Sequence, residues 1–109
     1  MNFYTENNFI IALSFRYCSL TSLPTLISQH TNLIALDITG NQLTSLPASF
    51  GNLLHLKKVY LDDNQLTSFP TALENLLQLE EIHIDHNQLV SLPENIQRFT
   101  KLKTLNVYN

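Results

Sequence analysis

Histidine and carboxylate side chains crowd one stretch of this chain. His83, Asp85 and His86 read His-x-Asp-His, with Asp62, Asp63 and Glu81 a little upstream. In an extended segment alternate side chains share a face, so His83 and Asp85 point the same way. Three chemistries follow. Imidazole plus carboxylate is a donor set for zinc, and His83, Asp85 and His86 would be its ligands, most naturally in a site shared between two chains. His83 with Asp85 is also a general-base pair. An acidic face equally suits a basic patch on another protein, or a layer of water.

The rest of the chain offers little for catalysis. Its only glycines are Gly40 and Gly51, so there is no Gly-rich phosphate loop. No nucleophile elbow or triad-like set of Ser, Cys and His is present. The chain therefore reads as a non-enzyme. Nine acids against six bases give a net charge of −3, with seven of the acids after residue 60. That balance argues against nucleic acid and anionic lipid as partners, and Lys57, Lys58, Lys101 and Lys103 read as scattered solubilising charges. Cys18 is the single cysteine, so no intrachain disulfide can form. The apolar run from Phe9 to Phe15 is too short to cross a bilayer. Glu6, with no Lys or Arg, precedes it, so it does not read as a signal peptide. A cytoplasmic protein is the default expectation.

What must position the His-Asp cluster is a repeat. Segments starting at Ile10, Leu33, Leu56, Leu79 and Leu102 align at a period of 23 residues without insertion. Asn-Gln-Leu recurs at 41, 64 and 87, and proline at 24, 47, 70 and 93. The units are 10–32, 33–55, 56–78, 79–101 and a partial 102–109, and residues 1–9 read as the tail of an absent or degenerate repeat, a weak N-terminal cap anchored by Phe3, Tyr4 and Phe9. Each unit opens with a strand whose fourth and sixth residues point inward, as Leu36 and Ile38 do, with alternate residues outward. Asn41, Asn64 and Asn87 then enter the turn, where an amide both donates to and accepts from bare backbone groups. Inward leucines follow at 20, 43, 66 and 89, then Leu23, Leu46, Phe69 and Leu92. Proline ends the extended run and opens a short 3₁₀ or helical turn that buries Ile27, Phe50, Leu73 and Ile96.

This pattern, from residue 10 to 109, resembles the leucine-rich-repeat family in its 23-residue, Leu-Pro form, similar to short bacterial members. The resemblance implies an α/β-class, right-handed solenoid: a parallel concave sheet of about five strands and short 3₁₀ or helical turns on the convex side. It also implies a non-catalytic module that binds a protein partner through the concave face, and it extends the localisation to a secreted or surface role. Cys18 stands where the family has asparagine, and is expected to be a buried, inert thiol.

On that frame the outward positions form rows across the sheet. They run Ala12, Ala35, Lys58, Glu81, Thr104; then Ser14, Asp37, Tyr60, His83, Asn106; then Arg16, Thr39, Asp62, Asp85, Tyr108; then Tyr17, Gly40, Asp63, His86, Asn109. Asp37, Tyr60, Asp62, Asp63, Glu81, His83, Asp85, His86 and Tyr108 are therefore the expected partner-binding residues, with tyrosines as anchors. Asp62 and Asp85 should repel unless something compensates. Gln42, Gln65 and Gln88 and the serines at 22, 45, 68 and 91 are expected to hydrogen-bond between coils. The last strand should leave Leu105 and Val107 uncovered, which points to a homo-oligomer joined through the solenoid ends, with zinc as a possible bridge.

Overall fold

The computed structural model describes all 109 residues. One sheet of six strands runs in sequence order: β1 (Asn2–Glu6), β2 (Phe9–Ser14), β3 (Ala35–Asp37), β4 (Lys58–Tyr60), β5 (Glu81–His83) and β6 (Thr104–Asn106). From β2 to β6 every pair is parallel, with partners 23 residues apart, so each repeat is one coil. The returns carry 3₁₀ turns: η1 (Thr25–Gln29), η2 (Ala48–Asn52), η3 (Thr71–Leu73) and η4 (Ile96–Arg98). No helix is long and apolar enough to cross a membrane.

Proline sets each turn. Its fixed φ holds the chain extended, and its carbonyl accepts the N–H three residues on: Ile27 to Pro24, Phe50 to Pro47, Leu73 to Pro70 and Ile96 to Pro93, at 3.0–3.2 Å. The turn drops one apolar side chain into the core, and Phe50 and Leu73 are 1% and 0% exposed. In the middle coils Leu33, Leu36, Leu56, Val59, Leu79 and Ile82 are fully buried, each worth about 2 kcal/mol of apolar transfer. Packing loosens at the last coil, where Leu89, Ile96, Leu105 and Val107 are half-buried and Leu92 is exposed rather than inward.

The tight turn after each strand is closed by an asparagine amide. Asn64 Nδ2 donates to the carbonyls of Ile38, Leu61 and Asp62 at 3.0–3.1 Å, and its Oδ1 accepts the Leu43 N–H at 3.0 Å. Asn87 repeats this one coil on, with Leu61, Ile84, Asp85 and the Leu66 N–H. Asn41 does so one coil back, its Oδ1 taking both the Cys18 and Leu20 N–H groups. Each amide thus joins its own coil to the preceding one.

Three expectations need correction. Residues 1–9 are not a repeat tail: β1 folds back antiparallel on β2 through a turn with Asn7 and Asn8 at φ 50° and 67°. Those are the positive values a two-residue hairpin turn needs. Phe3, Tyr4 and Phe9 stay exposed, so they do not anchor a cap in the core. Cys18 is exposed, not buried. Its coil differs from the others in the left-handed backbone of the following residue, Ser19, and β1 pairs only as far as Ser14, so nothing stacks on its turn. The Gln and Ser side chains are likewise exposed. The bonds between coils at this level come from the backbone N–H of Gln42, Gln65 and Gln88 to Leu20, Leu43 and Leu66, at 2.8–2.9 Å.

Two outcomes are expected. Asn64→Ala strips partners from buried backbone groups of two coils and should cost about 3 kcal/mol in urea unfolding; a loss below about 1 kcal/mol would mean water replaces the amide. Cys18 in the native protein should react with Ellman's reagent within about ten-fold of its rate in the unfolded chain. Protection well beyond that would contradict its exposure.

Candidate functional site

Strand register brings the outward rows together across the sheet. Lys58 lies between Ala35 and Glu81, and Tyr60 between Asp37 and His83. Parallel hydrogen bonding continues past the strands, from Gly40 N–H to Asp62 O and from Asp63 N–H to Asp85 O, both at 2.9 Å. The aspartate rows are therefore held as firmly as the strands.

At the centre, the rings of Tyr60 and His83 stack with centroids 4.8 Å apart and planes at 27°. Glu81 serves three neighbours. Its carboxylate takes Lys58 Nζ at 3.1 Å and the Tyr60 hydroxyl at 3.1 Å, and stands 3.7 Å from His83 Nε2. Asn106 Nδ2 lies 2.9 Å from His83 Nδ1. With the amide nitrogen donating to Nδ1, a neutral ring carries its proton on Nε2, toward Glu81; which nitrogen donates depends on the tautomer. Lys58 holds the Glu81 carboxyl below its usual range. Glu81 in turn raises the Lys58 ammonium. Burial, and then the bond to Glu81, pushes the Tyr60 phenol up. Lys58 is thus part of the site rather than a scattered solubilising charge. Its place in the same row as Glu81 was the sequence signal that could have shown it.

The stacked aspartates turn out to hold backbone. Asp62 Oδ1 accepts the Asp85 N–H at 2.7 Å, and Asp85 Oδ1 accepts the Tyr108 N–H at 2.6 Å. Donors from the next coil are what offset the like-charge contact. Asp37 caps Thr39 N–H at 3.0 Å and faces Arg16 at 3.5 Å. At the strand exit, His86 Nδ1 stands 3.6 Å from Asp63 Oδ1, and the His86 ring meets Tyr108 edge-on at 6.4 Å. His83 and His86 therefore turn to different neighbours, and no three His, Cys, Asp or Glu side chains of one chain gather in a way that could hold an ion.

Charge is partitioned by face. Asp37, Asp62, Asp63, Glu81 and Asp85, against Arg16 and Lys58, leave the four outward rows at a net charge of −3, equal to that of the whole chain. The other four acids and four bases cancel elsewhere. Arg16 pairs with Asp37 and Lys58 with Glu81, which leaves the negative field to Asp62, Asp63 and Asp85.

The repeated coil has a match among known families. The Leucine Rich Repeat model matches residues 32–53, 55–76 and 78–99, more than half of the chain. The chain belongs to the leucine-rich-repeat family. Domains of this family typically mediate protein–protein interaction and are generally non-catalytic scaffolds. The search of curated proteins finds no match. Among solved structures, a leucine-rich-repeat protein of Leptospira interrogans is 37% identical with a TM-score of 0.80, over 84% of this chain and 23% of that one. The BIR3–SERK2 complex from Arabidopsis thaliana gives 27% identity and a TM-score of 0.81 over 95% of this chain and 58% of that one. An internalin from Listeria monocytogenes shares the fold, with 21% identity and a TM-score of 0.65 over 79% of this chain and 26% of that one. This leucine-rich-repeat chain thus spans less than two thirds of the length of each.

Burial, more than the bond from Asp85, sets the Asp62 carboxyl, which lies above its ordinary value of 3.8. A carboxyl raised in this way binds its proton more readily in the folded chain. Its contribution to stability therefore grows as pH falls through the folded pKa and is lost as pH rises. Asp62→Asn keeps an oxygen for the Asp85 N–H and removes the charge. The variant's advantage over the wild type in urea unfolding should accordingly shrink from neutral pH toward the carboxylate range. A constant gap would show that Asp62 titrates at its unfolded value, and a widening one that folding lowers its pKa.

Proposed function

We propose that this leucine-rich-repeat chain is a non-catalytic protein-binding module whose concave face receives a basic surface of a partner. Tyr60 and His83 form its centre, and Asp62, Asp63, Asp85 and Tyr108 its exit side. The observation that carries this reading is the concentration of acidic charge, −3 net, in the four outward rows around an aromatic stack. Aromatic side chains contribute contact area at low entropic cost, while unneutralised carboxylates steer and select a cationic partner. Asp62 and Asp85 are poor sites for a test, because they also hold backbone N–H groups.

Tyr60→Ser is the cleaner probe, since the first coil carries Ser14 at the same position. Random peptides displayed on phage and selected on the chain should be rich in Lys and Arg. Their affinity should fall about ten-fold on Tyr60→Ser, and also with rising ionic strength. A convex-side change, Gln97→Ala, should leave it untouched. Peptides sensitive to the convex change and indifferent to Tyr60→Ser would overturn the reading.

Self-association is a second reading. It is supported by Val90, 89% exposed where the other coils have Thr21, Thr44 and Thr67, and by exposed Leu92 beside it. In that case light scattering would find an oligomer that Val90→Thr dissolves.

A further inference from the structure

At the start of each strand two successive residues face solvent. The N–H groups of Lys57 and Lys58 both donate to Ile34 O, those of Glu80 and Glu81 to Lys57 O, and those of Lys103 and Thr104 to Glu80 O, at 2.8–3.1 Å. With two successive N–H groups on one carbonyl the alternation is broken here, and the first residue of each pair lies outward. Through the five coils that residue is Ile11, Ile34, Lys57, Glu80 and Lys103. The backbone setting of Lys57, Glu80 and Lys103 is the same, so the fold accepts a charge there. Nothing in the core asks for isoleucine at 11 and 34, where both side chains are half-exposed.

Their surroundings are apolar too. Ala12 and Ala35 precede Lys58 and Glu81 in the adjoining row, and Tyr4 pairs opposite Ala12 on the other side. Phe9 is 54% exposed and Leu54 59%. The hairpin turn with Glu6 and Asn7 bounds a groove of about 790 Å³ at this rim, lined by the apolar Phe9, Ile11, Ile34 and Leu54 and by six polar residues, Glu6 and Lys57 among them. That volume falls within the ~300–1,000 Å³ of pockets that hold small ligands. The strand starts of the two halves therefore differ: Ile11, Ala12, Ile34 and Ala35 are apolar on β2–β3, whereas Lys57, Lys58, Glu80 and Glu81 are charged on β4–β5.

We infer that the groove is the apolar end of the concave binding surface. It takes a bulky aliphatic or aromatic side chain of an extended partner segment whose Lys or Arg residues reach Asp62, Asp63 and Asp85. This rests on the concave-face reading and names the partner's chemistry. From Ile34 to the aspartate row is about five residue steps along the strands, or ~16 Å, and two strand steps across, or ~10 Å. The diagonal of ~19 Å is spanned by about six extended residues. An apolar residue and a base roughly that far apart are what the surface selects.

The test uses the full chain and a phage-displayed library of random peptides longer than that span. Selected sequences should pair an apolar residue with Lys or Arg at about six positions' separation. A synthetic peptide of the leading sequence should bind about ten-fold more weakly to the double variant Ile11→Lys, Ile34→Lys. Lysine at this position is what the third coil already carries, and circular dichroism checks that the variant folds. Alanine in place of the peptide's apolar residue should cost as much against wild type and little more against the variant, the coupling of a direct contact.

Purely basic peptides that bind the variant as well as wild type would overturn the groove assignment and leave the concave reading standing. Peptides indifferent to both the groove variant and Tyr60→Ser would sink both. A wild-type dimer broken by the lysines, with peptide binding unchanged, would give the groove to a second copy instead. Failure to enrich any sequence would also count against the proposal.

Discussion

A chain that reverses sharply after every short strand leaves peptide N–H and C=O groups with no partner of their own, and burying them bare costs more than the turn's apolar contacts return. Everything else here depends on how Asn41, Asn64 and Asn87 meet that constraint. Each places a side-chain amide inside the turn, donates to carbonyls of two coils and accepts an N–H of the preceding one. No coil can satisfy its own turn. Stacking is therefore obligatory, in a register of one repeat per strand, and the outward rows follow from that register.

The rows then generate the electrostatics. Residues that alternate harmlessly along the sequence become neighbours one strand apart, so Tyr60 stacks on His83 and a single Glu81 carboxylate is shared by Lys58 and Tyr60. Asp62 and Asp85 have two roles. They hold the next coil's backbone and also supply the field that the two basic residues of the face do not neutralise. An exposed acidic patch on a flexible surface would be a diffuse, screened charge. Here it is fixed to a rigid sheet.

Departures from the repeat are the informative positions. Where four coils agree, the residue serves packing or the turn, as the prolines and inward leucines do. Where they disagree at an equivalent backbone position, the difference belongs to the surface. Serine, aspartate, tyrosine and histidine alternate at one such position, and isoleucine gives way to lysine and glutamate at another. Tyr17 is a further case. Its ring lies over Gly40, where a Cβ would stand 2.1 Å from the aromatic carbons, so the second coil must give up a side chain to the first.

The amino-acid sequence by itself determined the coil: its period, its inward leucines, its proline turns and which residues share a concave row. These are properties of one repeat unit seen repeatedly, and a periodic pattern survives without coordinates. It could not say which atoms meet between coils. The antiparallel course of residues 1–9 lies outside the period, and exposed Phe3 and Tyr4 carry no burial signal to reveal it. The outward turn of Cys18 depends on what stacks beyond its coil. The two solvent-facing residues at each strand start arise where two N–H groups share one carbonyl of the preceding coil, which simple alternation conceals, so Ile11 and Ile34 were hidden among inward neighbours. The second role of Asp62 and Asp85 needed the next coil's N–H groups in place. In each case contacts across a repeat boundary decided the outcome, and those exist only once the coils are stacked.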